Sequence, residues 1–323
     1  MLRLGLLSTA NINRRILAAA ASGGGVSVVA VGSRDLERAE AYAREHGLER
    51  AHGSYDALLA DEEVDAVYVS LPNGLHHEWT LRALRAGKHV LCEKPYSRHP
   101  AEVEEAFALA EGSGLVLTEA FMYRHHPQTD LVAGLVRDGA IGRPRLLRAA
   151  FSFVLPSLED VRADPALDGG SLMDLGCYCV SAIRLLGGEP ESVVGEQVLG
   201  PTGVDMSFEG ELQLPGGAVG SFRCSFLDPQ HQALEVVGEE GTLRVQAPWR
   251  VDWGGDVLVE RDGEATPVDV PEAGLYEAEL ANLAGAAAGV VEPLLGREDA
   301  LGQARAIDAL YRSAAEEGRP VEL

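Results

Sequence analysis

The chain has 323 residues, of which 46% are hydrophobic and 24% charged, a composition that can fill two domains and argues against intrinsic disorder. Its formal net charge of −23 argues against nucleic acid and against an anionic membrane surface as partners, because both are bound through clustered Lys and Arg. The sequence contains no apolar run of the roughly twenty residues that a membrane span requires.

The cysteines predict no metal site. They are Cys92, Cys177, Cys179 and Cys224, and their spacing matches neither a zinc motif nor a redox CxxC pair. Reduced thiols are the simplest interpretation, and they favour a cytoplasmic protein. The first segment, Met1 to Leu7, is typical of a strand rather than of a secretory signal.

The chain begins with a strand, a tight turn and a helix. Leu2 to Leu7 is an apolar run typical of a strand buried on both faces, and a helical pattern runs from Arg14 to Ala21. A dinucleotide-binding fold has its GxGxxG motif at this turn, but the three glycine positions hold Ser8, Ala10 and Asn13. An ordinary turn without a ligand therefore stays open as an alternative. The residues expected to hold a pyrophosphate at the helix N-terminus are Ser8, Thr9, Ala10, Asn11 and Ile12.

The second buried strand, Val26 to Gly32, leads through Ser33, Arg34 and Asp35 into a helix from Leu36 to His46. The end of this strand meets the adenosine ribose in dinucleotide folds, where an acidic residue selects NAD and an arginine accommodates the 2′-phosphate of NADP. Ser33 with Arg34 beside it favours NADP, with NAD possible and a solvated surface charge as the alternative for Arg34. Asp35 is predicted to cap the helix.

Three further strands, Val64 to Ser70, Lys88 to Cys92 and Leu115 to Thr118, alternate with helices. This alternation through residue 120 predicts a parallel, doubly wound sheet, whose ligands lie at the carboxyl ends of the strands. The side chains that follow strand ends, and are expected to share one binding edge, are Ser8, Ser33, Asn73, His76, Lys94 and Glu119.

Lys94 is a candidate for chemistry because lysine occurs at only two positions, Lys88 and Lys94, in a chain that otherwise uses arginine. The pKa of a lysine can be tuned by burial, whereas an arginine stays charged. Lys94 stands at a predicted strand end between Glu93 and Pro95. A chance surface lysine in an arginine-rich composition is the alternative.

The pattern changes near residue 122, which predicts two domains, 1-122 and 123-323. Alternating apolar and polar runs between residues 204 and 261, separated by Gly and Pro clusters, predict an antiparallel sheet with hairpins. The predicted fold is therefore α/β, with an N-terminal Rossmann domain and a C-terminal α+β domain that has a large, mainly antiparallel open sheet. The more exposed face of that sheet is a candidate oligomer interface.

Asp174 and Tyr178 are four residues apart in a helical pattern from Gly170 to Leu186, which places them on one face of a mostly buried helix. A structural Asp–Tyr hydrogen bond is one interpretation. The other is proton transfer, which must accompany hydride transfer between a carbinol and nicotinamide. A tyrosine of ordinary pKa, about 10, is a weak base, but a nearby ammonium such as that of Lys94 lowers that pKa. Asp174 would then orient the substrate or keep the lysine charged.

Five stretches, in this order along the chain, resemble the Gfo/Idh/MocA family of oxidoreductases. They are the turn Ser8 to Asn13, Pro72-Asn73-x-x-His76, Gly87 to Pro95, Glu119 to Arg124, and Asp174-x-x-x-Tyr178. The resemblance covers essentially the whole chain and implies NAD(P)-dependent oxidation or reduction of sugars, polyols and related molecules. Lys94 is similar to the active-site lysine of the family and Asp174 to its helix aspartate. Tyr178, where many members have histidine, resembles the dihydrodiol dehydrogenase and NADP-dependent D-xylose dehydrogenase branch.

The sequence therefore predicts an NADP-dependent oxidoreductase that is a homo-oligomer, a dimer or tetramer, and acts on a sugar or polyol. The predicted catalytic residues are Lys94, Tyr178 and Asp174. The cofactor-binding residues predicted beyond the first turn are Ser33, Arg34, Leu71, Pro72, Asn73, His76, Glu93, Lys94 and Arg124. Further candidate pocket residues are Arg124, His125, His126, Arg162 and Trp249. A non-catalytic NAD(P)-binding regulator and a keto-deoxysugar-nucleotide reductase are the alternatives.

Overall fold

The computed structural model describes residues 1–323 as two compact units. The first comprises Met1–His125 and Ala273–Leu301, and the second comprises His126–Glu272 and Gly302–Leu323. The division into domains 1-122 and 123-323 stays a prediction. It assigns residues 273–301 to the second domain, whereas in the structure these residues belong to the first unit.

The first unit contains a six-stranded parallel sheet. Its strands are β1 Leu2–Leu6, β2 Val26–Gly32, β3 Arg50–His52, β4 Ala66–Val69, β5 His89–Cys92 and β6 Leu117–Glu119. They lie in the order β3-β2-β1-β4-β5-β6, the order of a Rossmann fold, which confirms the predicted doubly wound sheet. β3 was not predicted, because three residues are too few to show a period.

Helices fill the connections of this sheet. They are α1 Asn13–Ser22, α2 Leu36–His46, α3 Tyr55–Leu59, α4 His76–Arg85 and α5 Pro100–Ser113. Asp35 caps α2 as predicted, since its carboxylate accepts a hydrogen bond from the Arg38 amide at 2.8 Å. Leu4 and Leu6 of β1 are fully buried in the core between these layers.

The second unit contains a nine-stranded sheet. Its strands are β7 Pro144–Ser152, β8 Ser192–Leu199, β9 Asp205–Gln213, β10 Val219–Ser225, β11 His231–Gly238, β12 Thr242–Val245, β13 Val257–Arg261, β14 Glu264–Val268 and β15 Val321–Glu322. The order is β14-β13-β12-β11-β7-β10-β9-β8-β15, and only the β7–β10 pair is parallel. The prediction of a large, mainly antiparallel sheet is therefore confirmed.

Two helices of the second unit are α6 Pro127–Arg137 and α7 Cys177–Gly187. The helix predicted near Gly170 to Leu186 is confirmed, but its first turn, Leu172–Gly176, is π-helical and α7 continues from it. α7 lies directly on the sheet: a Cβ added at Gly220 of β10 would be 2.4 Å from Ile183 Cγ2. A glycine is therefore required where the helix approaches the strand.

Two helices, α8 Glu277–Ala287 and α9 Arg297–Ala315, lie between β14 and β15 along the chain. α8 belongs to the first unit, where Leu280 and Leu283 are fully buried in the same core as Leu4 and Leu6. None of the helices combines the length and the apolar character needed to cross a membrane.

Candidate active site

The predicted cofactor-binding residues of the first unit lie mostly at the carboxyl ends of the parallel strands. Because the strands run in one direction, the residues that follow them lie along one edge of the sheet. In sheet order these residues are Ser33 after β2, Ser8 after β1, Leu71, Pro72 and Asn73 after β4, Glu93 and Lys94 after β5, and Glu119 at the end of β6.

Side-chain hydrogen bonds stabilise the turn after β1 at positions where the GxGxxG motif has glycines. Ser8 Oγ lies 2.7 Å from Ser70 Oγ and accepts a hydrogen bond from the Ala10 amide at 3.0 Å. Asn13 Nδ2 donates to the Ser8 carbonyl at 2.8 Å. No residue from 8 to 13 has a positive φ, so the turn does not need glycine. No side chain caps the N-terminus of α1, which suits the binding of an anion there.

The end of β2 carries two guanidinium groups. Arg34 is exposed, and Arg38, one turn further on in α2, donates from Nε to Thr9 Oγ1 at 2.8 Å. The side chain of Arg38 therefore joins the first turn of α2 to the turn after β1. Arg38 was not predicted from the sequence, because it lies in the first turn of α2, beyond the strand end that holds Ser33 and Arg34.

Lys94 follows a glutamate whose side chain is fixed from two directions. The hydroxyl of Tyr68 in β4 donates to Glu93 Oε1, and the Lys94 amide donates to Glu93 Oε2 at 3.3 Å. Tyr68 is fully buried, and burial together with the charge of Glu93 raises the pKa of its phenol well above the usual value. Tyr68 is therefore a hydrogen-bond donor that orients Glu93 before any ligand binds.

Residues on the other side of Lys94 are fixed as well. The Lys94–Pro95 peptide bond is cis. His76 is fully buried, with Nδ1 3.0 Å from the Pro95 carbonyl and Nε2 2.8 Å from the Leu71 carbonyl. The Tyr96 amide donates to Glu119 Oε1 at 2.7 Å. These contacts join the carboxyl ends of β4, β5 and β6 around Lys94.

Glu279 of α8 is a buried acid that the sequence analysis did not identify. It is 1% exposed, and neither of its carboxyl oxygens has a hydrogen-bond partner. Burial, and then the charge of Glu93, raise its pKa well above the usual value. A carboxylic acid thus lies within the electrostatic reach of the Glu93 carboxylate.

The remaining candidates of this region are Arg124, His125 and His126, and their surroundings are protein groups. Arg124 Nη1 lies 3.1 Å from Asp299 Oδ1, and the arginine side chain is 10% exposed. Burial and then the charge of Arg124 lower the pKa of His125 to about 4, which keeps its imidazole neutral. His126 is buried and caps α6, because its Nδ1 accepts a hydrogen bond from the Gln128 amide at 3.1 Å.

In the second unit, Asp174 lies on the π-helical turn and is paired with a loop arginine. Arg162 Nε donates to Asp174 Oδ2 at 2.8 Å, and its Nη1 lies 3.2 Å from Asp160 Oδ1. The charge of Asp174, and then that of Asp160, raise the pKa of the guanidinium. Two carboxylates therefore neutralise this arginine.

Tyr178 begins an aromatic cluster in the first turn of α7. Its ring centroid lies 5.5 Å from that of Phe151 and 6.0 Å from that of Trp249. Trp249 is fully buried, and its ring packs against that of Tyr178. Trp253, 6.3 Å from Phe151, is 38% exposed and lies under the Arg250 guanidinium at 5.0 Å. Trp249 was predicted as a pocket residue from the sequence, but it is buried, whereas Trp253 is exposed.

Known protein families match both halves of the chain. A profile described as an oxidoreductase family with an NAD-binding Rossmann fold matches residues 3–121, and the profile of the GFO/IDH/MocA C-terminal domain matches residues 130–244. D-xylose 1-dehydrogenase (NADP(+)) 2 of Haloferax volcanii is 39% identical over 323 residues, which is 99% of each chain.

Solved structures show the same architecture. An aldose-aldose oxidoreductase from Caulobacter crescentus, complexed with glycerol, superposes with a TM-score of 0.92 at 29% identity and covers 100% of this chain and 99% of its own. A 3-ketoreductase from Actinomadura kijaniata, in complex with NADP and TDP-benzene, gives a TM-score of 0.90 at 32% identity over 97% of both chains. These similarities confirm the predicted family resemblance and the predicted fold class.

Proposed function

Because the chain belongs to the GFO/IDH/MocA family of NAD(P)-binding oxidoreductases, we propose that it transfers hydride between NADP and a neutral sugar or polyol. The observation that carries the proposal is the position of Lys94, which lies at the carboxyl edge of the parallel sheet with fixed residues on both sides. A parallel sheet binds its ligands at this edge.

The residues at this edge fit NADP. The turn Ser8 to Ile12 and the N-terminus of α1 would hold its pyrophosphate, and no capping side chain occupies that helix end. Arg34 and Arg38 at the end of β2 would hold the 2′-phosphate, since guanidinium groups match phosphate geometry. Bound NADP supplies or accepts the hydride. The relative from Haloferax volcanii is named as an NADP(+) enzyme.

The protein would move the proton that accompanies this hydride. We assign the proton transfer at the substrate hydroxyl to Tyr178, and the ammonium of Lys94 would lower the pKa of its phenol. Asp174 would orient a substrate hydroxyl by accepting its hydrogen bond. Its carboxylate is already directed by Arg162, at 2.8 Å, before substrate binds.

The charges near Asp174 favour a neutral substrate. A nucleotide sugar carries a diphosphate, which proteins usually bind with Arg, Lys or a helix N-terminus. Arg162 is already neutralised by Asp160 and Asp174. The exposed ring of Trp253 provides an apolar face of the kind that packs against the C–H groups of a sugar. These two features favour an aldose or polyol over a keto-deoxysugar nucleotide.

A substrate panel tests the proposed function directly. Purified protein would be assayed with aldoses, polyols and a TDP-ketosugar, each with NADP and with NAD. We expect turnover of a neutral sugar with NADP. If only the TDP-sugar is turned over, the proposed substrate class is wrong. Lys94→Met should abolish turnover while NADPH fluorescence still reports binding. A wild-type protein that binds NADPH but turns over no substrate would favour a regulator instead.

We also propose that the chain acts in the cytoplasm as a dimer or tetramer formed through the exposed face of the nine-stranded sheet. This face carries a row of cross-strand ion pairs: Arg148 lies 3.0 Å from Glu235, which lies 3.0 Å from Arg244. Alternating charges of this kind can complement a second copy of the same face. The four cysteines are free and buried, which suits a reducing compartment. Multi-angle light scattering tests the oligomeric state.

A further inference from the structure

Asp205 is a buried carboxylate that the proposed chemistry does not use. It begins β9, is 2% exposed and receives three hydrogen bonds. Ser171 Oγ donates to Oδ2 at 2.7 Å, the Leu172 amide donates to the same oxygen at 2.7 Å, and Tyr311 Oη donates to Oδ1 at 2.8 Å. One side chain thus joins β9, α9 and the start of the π-helical turn.

The backbone just before the π-helical turn lies close to the Asp205 carboxylate. Gly170, directly before Ser171, has a φ of 129° and would place an added Cβ 2.1 Å from Asp205 Oδ1. Its amide donates to the Arg162 carbonyl at 2.9 Å. Only glycine combines this φ with this close approach, so the position of the chain at residue 170 is set by contact with Asp205.

The π-helical turn that starts here carries the proposed catalytic groups of the second unit. The Cys177 amide donates to the Leu172 carbonyl, five residues earlier, which is the hydrogen bond that defines the π turn. Asp174 lies within this turn, and Tyr178 follows it in α7. The position of Leu172 therefore determines where the Asp174 carboxylate and the Tyr178 phenol point.

We propose that Asp205 is a positioning residue for the reaction: it fixes the start of the π-helical turn and thereby the directions of Asp174 and Tyr178, without touching the substrate. This inference rests on the proposed function of those two residues. A shift of about 1 Å in a group near the chemistry can cost on the order of 100-fold in rate, so a distant anchor of this kind has a kinetic effect.

The test compares three variants. Asp205→Ala removes all three hydrogen bonds. Asp205→Asn keeps them, because its oxygen can accept from Ser171 and Leu172 while its amide donates to the Tyr311 hydroxyl. Ser313→Ala is the matched control: Ser313 is a fully buried hydroxyl of α9 that accepts from the Gly195 amide at 2.9 Å and donates to the Arg319 carbonyl at 2.7 Å, with no bond to the π turn.

For Asp205→Ala we expect kcat to fall by about 10- to 100-fold at an unchanged NADPH Kd, measured well below the melting temperature. Asp205→Asn should recover most of that loss, and Ser313→Ala should keep the wild-type kcat even if it is equally destabilised. Hydrogen exchange of the peptide containing residues 171–178 should accelerate in Asp205→Ala but not in the other two variants.

Several results would overturn the inference. They are a wild-type kcat in Asp205→Ala, an equal loss of kcat in Ser313→Ala, or unchanged exchange in residues 171–178. If Asp205→Ala does not fold, Tyr311→Phe and Ser171→Ala each remove one donor, and a normal kcat in both would count against the inference. Absence of turnover in the wild type refutes the proposed function instead, whereas the exchange experiment still reports whether Asp205 holds the turn.

Discussion

The guanidinium of Arg162 and the carboxylate of Asp174 form an ion pair, with Nε 2.8 Å from Oδ2. The pair fastens the loop before the π-helical turn to the residue expected to orient the substrate. Because Asp160 also pairs with Arg162, the arginine is held in place even without Asp174. The carboxylate therefore has a fixed direction before a substrate arrives, which lowers the ordering that substrate binding must impose.

Replacing Arg162 by methionine should raise the KM for the sugar by about 10-fold and lower kcat, since Asp174 loses the donor that directs it. Arg162→Lys should recover little, because an ammonium cannot reproduce the planar contact of the guanidinium. The measurement is steady-state kinetics with the best sugar of the panel, together with the NADPH Kd. A larger effect on NADPH binding than on the sugar KM would contradict the role.

Replacing Tyr178 by phenylalanine should lower kcat by about 100-fold and remove the pH dependence of the proton-transfer step, because the phenol that exchanges the proton is gone. The packing of the ring against Phe151 and Trp249 should remain, so stability should change little. Pre-steady-state rates over a pH series are the measurement. An unchanged pH profile would move the proton transfer to another group.

Replacing Arg38 by alanine should weaken NADPH binding by about 10-fold and NADH binding hardly at all, because NADH has no 2′-phosphate for a guanidinium to hold. Arg34→Ala should act in the same direction. Arg44→Ala is a control on the same helix, since Arg44 is exposed and pairs with Glu40 one turn earlier. Fluorescence titration gives both Kd values, and an equal loss for the two cofactors would remove Arg38 from phosphate binding.

Glu279→Gln should raise the free energy of unfolding, and more at pH 8 than at pH 5. Burial and the charge of Glu93 raise the pKa of Glu279 in the folded state, so its contribution is fully present below the unfolded pKa of about 4.5 and is lost as pH rises toward and through the folded pKa. The neutral glutamine removes that loss, so the gain in the free energy of unfolding should be larger at pH 8.

Urea unfolding at both pH values measures this difference. Glu277→Gln, two residues earlier on α8 and only partly buried, is the control and should shift both midpoints equally. An identical gain for Glu279→Gln at pH 5 and pH 8 would show that the carboxyl does not titrate differently in the folded protein.

Some elements could be predicted to the residue. β2 and α2 have the predicted bounds, because a mostly apolar run and a capping Asp35 mark their ends in the local sequence. β8 and β14 were missed: β8 is buried at only two positions, both in its first half, and β14 is exposed at nearly every position, so neither shows a full alternating pattern. Their place in the sheet is decided by pairing with neighbouring strands.

The hydrophobic periodicity of the sequence could not predict the π-helical turn either. Residues 170–186 have a helical pattern, and the insertion of one wider turn changes no residue type. Hydrogen bonds to Asp205, more than thirty positions further along the chain, anchor the start of that turn. Local propensity cannot represent a contact of that kind, which is why the sequence predicted the helix but not its π-helical first turn.

By itself, the sequence determined the fold class, the family and which residues share the carboxyl edge of the parallel sheet. These follow from strand–helix alternation and from motifs such as Glu93-Lys94-Pro95, which are local properties of the chain. Only the tertiary structure decided that Arg162 directs Asp174, that Trp253 rather than Trp249 is exposed, and that Glu279 is buried where the charge of Glu93 raises its pKa. The physical reason is that burial and electrostatic coupling depend on neighbours in space, which sequence spacing does not contain.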